Sequence, residues 1–250
     1  MKNELVSIIT AAYNCAETIF STSKSVLSQT YPFWEWIIID DCSTDSSFNV
    51  LSSIAASDKR IVLLKTPRNG GPAMARNMGL RCSKGRYITF LDSDDLLDAD
   101  YLENQVAFIE NNGPIVSSGY RRQGLSTCTS FSPPSVVDYK KDLRGNPLSC
   151  LTTMYDKSII GEVYFPEGFD GPEDYVFWLG ILKKGYVAKG NPKELATYNI
   201  RKGSKSSNKR ALVLRMFRVY HQTQRINWVR SWLLVINWAF YGMKKYKGVK

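Results

Sequence analysis

Histidine is nearly missing from this 250-residue chain, where His221 stands alone. A zinc site would find no second imidazole. The five cysteines, Cys15, Cys42, Cys82, Cys128 and Cys150, offer no Cys-x-x-Cys spacing to replace it. Their odd number and wide separation also argue against a disulfide framework and point to a reducing, cytoplasmic setting. No Gly-x-Gly-x-x-Gly follows the first apolar run, which removes the fingerprint of a nicotinamide dehydrogenase. No apolar stretch is long enough to span a bilayer, and the N-terminus shows no small-residue cleavage pattern, so Leu5 to Thr10 reads as a strand and not as a signal peptide. Internal repeats and low-complexity tracts are absent as well.

The most telling absence is of negative charge near the end. After Glu194 there is no acidic residue, whereas thirteen basic ones follow, from Arg201 to Lys250. Against a total of +10, this leaves about −3 on the body and +13 on the tail. Such asymmetry fits a basic tail that meets phosphates or an anionic membrane, and no nucleic-acid partner is expected.

What the chain does have is an alternation of short apolar runs with helical periods. Val6 to Thr10, Trp34 to Ile39, Ile61 to Lys65 and Tyr87 to Leu91 read as strands. Thr18 to Gln29, Ser46 to Ala56 and Pro72 to Gly85 read as the helices between them. The order implies an α/β fold with a mostly parallel sheet flanked by helices, built through right-handed crossovers. A further helix is expected from Ala99 to Asn112. Beyond it the pattern is less regular, with strands expected at Leu148 to Asp156 and Ile159 to Phe165 and a helix at Glu173 to Gly185. The expected division is a catalytic domain over 1–207, with a nucleotide-binding half to 98 and a half over 99–207 that shapes the pocket of the partner substrate, followed by a helical tail over 208–250.

Two acidic clusters fall where apolar runs stop: Asp40-Asp41 after Ile37-Ile38-Ile39, and Asp92-Ser93-Asp94-Asp95 after Leu91. Ligands of open α/β sheets bind outside the carboxyl ends of strands, and massed carboxylates there ask for a cation, a polar ligand, or both. Helix caps and turns are the alternative role for such residues. A third acidic pair, Glu173-Asp174, opens a helix with Phe177 and Trp178, where it serves either chemistry or the helix dipole.

Together with Val6 to Asn14, Ser25 to Thr30, Asn69-Gly70-Gly71-Pro72 and Ala75-Arg76-Asn77, these segments resemble the family 2 glycosyltransferases of the GT-A fold, inverting enzymes that use nucleotide diphosphosugars. The likeness covers about Val6 to Ser206. It implies that Asp94, in the Asp-x-Asp position, binds Mn²⁺ or Mg²⁺ on the donor diphosphate, with Asp92 nearer the ribose and Ser93 beside it. Thr10, Ala11, Tyr13 and Asp41 would form the base pocket, and Asp40 would share or replace Asp41. A carboxylate that accepts from an imide N–H favours uracil, hence a UDP-sugar; Tyr13 is otherwise an ordinary strand-end aromatic. Arg68 and Arg76 suit phosphate or sugar contacts, a solvated surface role being the alternative. Asp174 is the implied catalytic base. Asp95 either supports the metal site or caps the next helix. The family often has a histidine in the segment after the aromatic helix, where this chain has Arg201; Arg201 is expected to neutralise the diphosphate instead.

In the tail, only thirteen uncharged residues separate Arg230 from Lys244, about 20 Å of helix at 1.5 Å per residue and too short to span. Trp228, Trp232, Trp238, Phe240 and Tyr241 fit a helix lying in an anionic cytoplasmic leaflet, or one packed on the body or on a second subunit. The expected acceptor is a saccharide or lipid-linked saccharide of surface-polysaccharide synthesis. Competing readings are an aspartate-based phosphatase with Asp92 as nucleophile, and a non-enzymatic membrane or nucleic-acid binding protein.

Overall fold

A computed structural model describes residues 3–124, 128–200 and 209–245. Strand β1 (Val6–Ala12) leads through helix α1 (Ile19–Leu27) to β2 (Trp34–Asp40), then α2 (Ser47–Ser57), β3 (Ile61–Lys65), α3 (Gly71–Cys82) and β4 (Tyr87–Phe90). There follow β5 (Leu96–Leu97), α4 (Tyr101–Asn112), β6 (Ile115–Gln123), β7 (Cys128–Phe131), β8 (Val136–Val137), α5 (Tyr139–Gly145), β9 (Thr153–Asp156) and the one-turn α6 (Lys157–Ile160). Helix α7 (Glu173–Leu182), β10 (Ala188–Asn199), α8 (Lys209–Arg218) and α9 (Trp228–Lys245) complete the described chain.

The sheet runs β3-β2-β1-β4-β9-β6-β10-β5, with β7 on β6 and β8 on β10. Strands β3, β2, β1 and β4 are all parallel. Strand β9 then enters antiparallel between β4 and β6, while β6 and β10 run parallel. Alternate residues of the parallel strands feed cores on opposite faces: Ile8, Trp36 and Ile38 on one side, Ile9, Ile37 and Ile39 on the other. All three β2 isoleucines are essentially buried, each contributing about 1.5–3 kcal/mol of transfer free energy. Helix α3 presses close because Gly79 has no side chain; a Cβ there would lie 2.5 Å from Ile9 Cγ2 and 2.8 Å from Ile39 Cδ1.

Two expectations for the second half are corrected. Ile159 to Phe165 is not a strand: Asp156 accepts from Ser158 N at 2.9 Å to start α6, and Gly161 ends that turn at φ +80°. Phe165 instead anchors an irregular loop, stacked 4.1 Å from Phe177 and held by Asn77, which accepts from its N–H and donates to its carbonyl. Over Leu148 to Asp156, only Thr153–Asp156 is strand; a 3₁₀ turn at Cys150–Thr152 precedes it.

Helices α8 and α9 pack onto α5 and α7. Met216, Tyr220, Leu234 and Val235 join Leu143, Tyr175 and Leu179 in a third apolar cluster. Trp232 and Trp238, expected at a lipid surface, are half-buried against that cluster, and the Tyr241 ring closes on Gly145. Trp228 and Phe240 remain outside, 62% and 59% exposed. None of the described helices is long and apolar enough to cross a membrane.

Candidate active site

Strand β1 lies between β2 and β4, so crossovers leave it in opposite directions and a crevice opens at the carboxyl ends of β1 and β4. Thr10 and Ala11 end β1, Tyr13 follows, Asp40 ends β2, and Asp92 to Asp95 follow β4. The two acidic clusters therefore share one edge of the sheet. Burial raises the thiol pKa of Cys15, against the hydroxyls of Ser47 and Ser93, and the Asp45 and Asp40 charges raise it further.

The residues expected to form the base pocket divide by what they already hold. Tyr13 is 48% exposed, a ring face open to stacking. Thr10 is buried, its hydroxyl accepting from Trp36 Nε1 at 2.8 Å, so its side chain serves the strands. Both Asp41 oxygens are occupied: Oδ1 accepts from Thr66 Oγ1 at 2.8 Å and Gly70 N at 3.0 Å, and Oδ2 from Gly71 N at 2.7 Å. Asp41 thus fixes the turn into α3. Asp40 is also buried, but among the described residues its carboxylate meets only Ser43 N, at 3.3 and 3.4 Å.

Arg76 is the hub of the arrangement. It projects from α3, is 6% exposed, and donates from Nη2 to Asp92 Oδ1 at 2.7 Å and from Nη1 to Glu173 Oε1 at 2.8 Å. Its guanidinium lies 5.3 Å from the Phe165 ring centroid. Burial opposes its charge, yet Asp92 and Glu173 outweigh burial and hold it ionised. The fork ties the acidic loop after β4 to the acidic pair that opens α7. Asp174, next along, accepts from Tyr175 N at 2.8 Å. Burial and then the Glu173 charge raise its pKa to about 6, against the opposing pull of Arg76 and that N–H. A carboxylate in that range is ionised at neutral pH and still basic enough to take a proton.

Asp95 is not a helix cap, since α4 begins only at Tyr101; its Oδ1 accepts from Asn199 N at 2.8 Å and fixes the end of β10. Asp94 is half-buried beside it. Among the described residues no three His, Cys, Asp or Glu side chains converge to hold a metal ion. One carboxylate, Asp94, with Asp92 committed to Arg76, fits a hard cation that draws most of its ligands from phosphate oxygens and water.

Arg68 is exposed without a partner among the described residues, and Arg201 lies outside them. A cavity of about 460 Å³ opens beside the acidic pair, lined by Gly70, Gly71, Asp170, Glu173, Leu212 and Arg215. Arg215 and Arg218 both donate to Asp170, at 2.9 and 2.8 Å. The sequence had marked Asn77 only as part of a matching segment, and neither Asn199 nor the α8 residues as candidates. Asn77 and Asn199 act through backbone partners that no motif displays, and Leu212 and Arg215 belong to a tail read only for charge.

A fold of this kind, with carboxylates at a β1/β4 crevice and an acidic pair opening an aromatic helix, is that of a nucleotide-sugar transferase. The model described as Glycosyl transferase family 2 matches residues 7–154, and the chain belongs to that family. It is 35% identical over 245 residues to the putative teichuronic acid biosynthesis glycosyltransferase TuaG of Bacillus subtilis, covering 96% of this chain and 97% of that protein. It is 39% identical over 208 residues to the Escherichia coli UDP-Glc:alpha-D-GlcNAc-diphosphoundecaprenol beta-1,3-glucosyltransferase WfaP, covering 82% and 81%. Among solved structures, S. aureus TarS 1–349 in complex with UDP-GlcNAc superposes with a TM-score of 0.72 at 20% identity, covering 96% of this chain and 72% of that one. The mannosyltransferase PcManGT from Pyrobaculum calidifontis, in complex with GDP-Man and Mn²⁺, gives 0.69 at 18% identity, covering 98% and 75%. The protein is a GT-A glycosyltransferase, and the phosphatase and binding-protein readings fall away.

Proposed function

We propose that this enzyme transfers a sugar, with inversion, from a UDP-sugar to a saccharide carried on a lipid diphosphate during cell-surface polysaccharide synthesis. The observation that carries this reading is the Arg76 fork, which joins donor-side Asp92 to acceptor-side Glu173 with Asp174 alongside. The relatives add weight: WfaP is named for a UDP-glucose donor and a diphosphoundecaprenol acceptor.

In this mechanism Tyr13 stacks on uracil. The imide N–H goes to Asp40, because Asp41 is taken by Thr66, Gly70 and Gly71. Asp40 lies beneath the turn at Cys42 to Thr44, so that turn moves when the base enters. Asp94 would hold Mn²⁺ or Mg²⁺, which would supply positive charge against the charge developing on the leaving diphosphate. Arg68, and Arg201 in the segment after β10, supply guanidinium contacts to the same oxygens. Asp174 removes the proton of the acceptor hydroxyl as its oxygen attacks the anomeric carbon and the bond to the diphosphate breaks. Residues 208–250 keep the enzyme at the inner face of the plasma membrane, where a lipid-linked acceptor resides.

The test is isothermal titration with UDP, GDP and CDP, each with and without Mn²⁺, using the parent chain and Asp94→Ala. Metal-enhanced binding of UDP alone, lost in the variant, is the expected result. Binding of none of the three overturns the proposal, and preference for GDP or CDP overturns the donor assignment.

A further inference from the structure

Packing on the body accounts for only one side of α9. Ser231, Leu234 and Val235 are buried, and Trp232 and Trp238 lean on the same cluster. On the other side Val229, Leu233, Ile236 and Phe240 are 64%, 56%, 50% and 59% exposed. At about 100° per residue these four fall within an arc of roughly 60°, opposite the buried set. Trp228, 62% exposed, stands at the start of the same helix. A surface helix normally turns polar residues to water, and a contiguous apolar stripe marks a contact surface.

Charge selects the occupant. The segment after Glu194 has thirteen basic residues and no acidic one. A second copy of the chain meeting this face across a two-fold axis would bring two such segments together, which self-repulsion opposes. An anionic bilayer satisfies both properties at once, taking the apolar stripe into its interface and the cations against its headgroups. We propose that Val229, Leu233, Ile236 and Phe240 form the face through which the protein lies on an anionic lipid bilayer. The inference rests on the membrane reading of residues 208–250 and names the side chains that enter the lipid. It also reverses part of the sequence expectation, since Trp232, Trp238 and Tyr241 belong to the inward side. Helix α8 contacts α9 through Phe217 and Trp232 while Leu212 and Arg215 line the cavity beside Glu173, so a single helix separates the docked face from that cavity.

The experiment is co-sedimentation of the full chain with phosphatidylcholine vesicles, with and without phosphatidylglycerol, at low and high salt. The parent is compared with the triple variant Leu233→Gln, Ile236→Gln, Phe240→Gln and with Phe20→Gln, an equally exposed aromatic on α1. UDP binding and the melting temperature report whether each variant is folded. Expected is binding that requires phosphatidylglycerol, weakens with salt, falls at least about tenfold in the triple variant, and is unchanged in Phe20→Gln. If the triple variant binds like the parent, this face is wrong while the membrane reading stands. If the parent ignores phosphatidylglycerol, both fall. A parent that is dimeric by light scattering and becomes monomeric in the triple variant overturns the proposal in favour of self-association.

Discussion

Replacing Arg76 with methionine keeps most of the side-chain stem against Phe165 and removes the fork that Asp92 and Glu173 share. Charge-assisted hydrogen bonds of this length are worth about 1.5–3 kcal/mol each. The Asp92 side chain is 39% exposed and that of Glu173 21%, so solvent screening discounts the first contact more than the second. A net loss of about 2–4 kcal/mol follows, below the 3–5 kcal/mol typical when one partner of a wholly buried pair is removed. For a chain of this size that corresponds to roughly 5–15 °C in melting temperature. A second readout separates structure from function. Arg76 lowers the Asp174 pKa from what burial and Glu173 alone would set, and the result is about 6. Transfer by the parent therefore declines as pH falls through about 6, and in Arg76→Met the decline begins at higher pH. Stability carries the opposite sign: the folded chain keeps a proton on Asp174 that the unfolded chain, with an ordinary value of 3.8, has released. That contribution is present at acid pH and is lost as pH rises through about 6. Arg76→Lys does not restore either property, because one ammonium cannot span both carboxylates as a planar fork does. The assays are thermal unfolding and the pH profile of sugar release from the donor. An unmoved acid limb in a destabilised variant would show that Arg76 only holds structure, and an unchanged melting temperature would remove the bridge itself.

Asp174→Asn should retain UDP binding yet lose transfer by about 10²–10⁴-fold, the usual worth of a general base; comparable loss of UDP affinity would count against that role. Chelation of divalent cations should weaken UDP binding by the parent and leave Asp94→Ala, already weak, unaltered. Gly79→Ala should destabilise by about 1–3 kcal/mol, because its Cβ would overlap Ile9 and Ile39; denaturant unfolding with an unchanged midpoint would contradict the close approach of α3.

The first half of the fold was legible because β1, β2 and β4 are buried on both faces and, like the edge strand β3, announce themselves as short apolar runs. Ile61 to Lys65 matches β3 end for end, and β2 extends the expected strand by one residue, to Asp40. Strands β6 and β10 gave no such signal. Ser117 and Ser118 sit fully buried in β6, where Thr153 Oγ1 donates to Ser117 Oγ at 3.1 Å. Strand β10 contains Pro192, and its pairing with β6 shifts register at Asn191/Glu194 and again at Glu194/Thr197. Polar residues satisfied by partners distant in sequence look like loop until the partners are known. The same reasoning explains the site. Carboxylates at strand ends were visible as a cluster, but Asp41 looked free for a ligand because its three donors lie 25 to 30 residues away.

The Arg76 fork also bears on why donor and acceptor functions need not be separate modules. Its helix, α3, packs on the parallel strands β1 and β2, whereas Glu173 opens α7, whose Phe177 and Trp178 pack around Phe90 and Tyr155 across the β4–β9 junction. The carboxylates that the proposed function assigns to donor and acceptor thus approach where the sheet changes from parallel to antiparallel pairing. Neither side of that junction can shift without stretching the guanidinium between Asp92 and Glu173. On the proposed function, a donor that draws Asp92 away would free one arm of the fork and strengthen its hold on Glu173. With Glu173 better neutralised, Asp174 would lose part of the repulsion that raises its pKa, and as the proposed base it would be more fully ionised once the donor has bound.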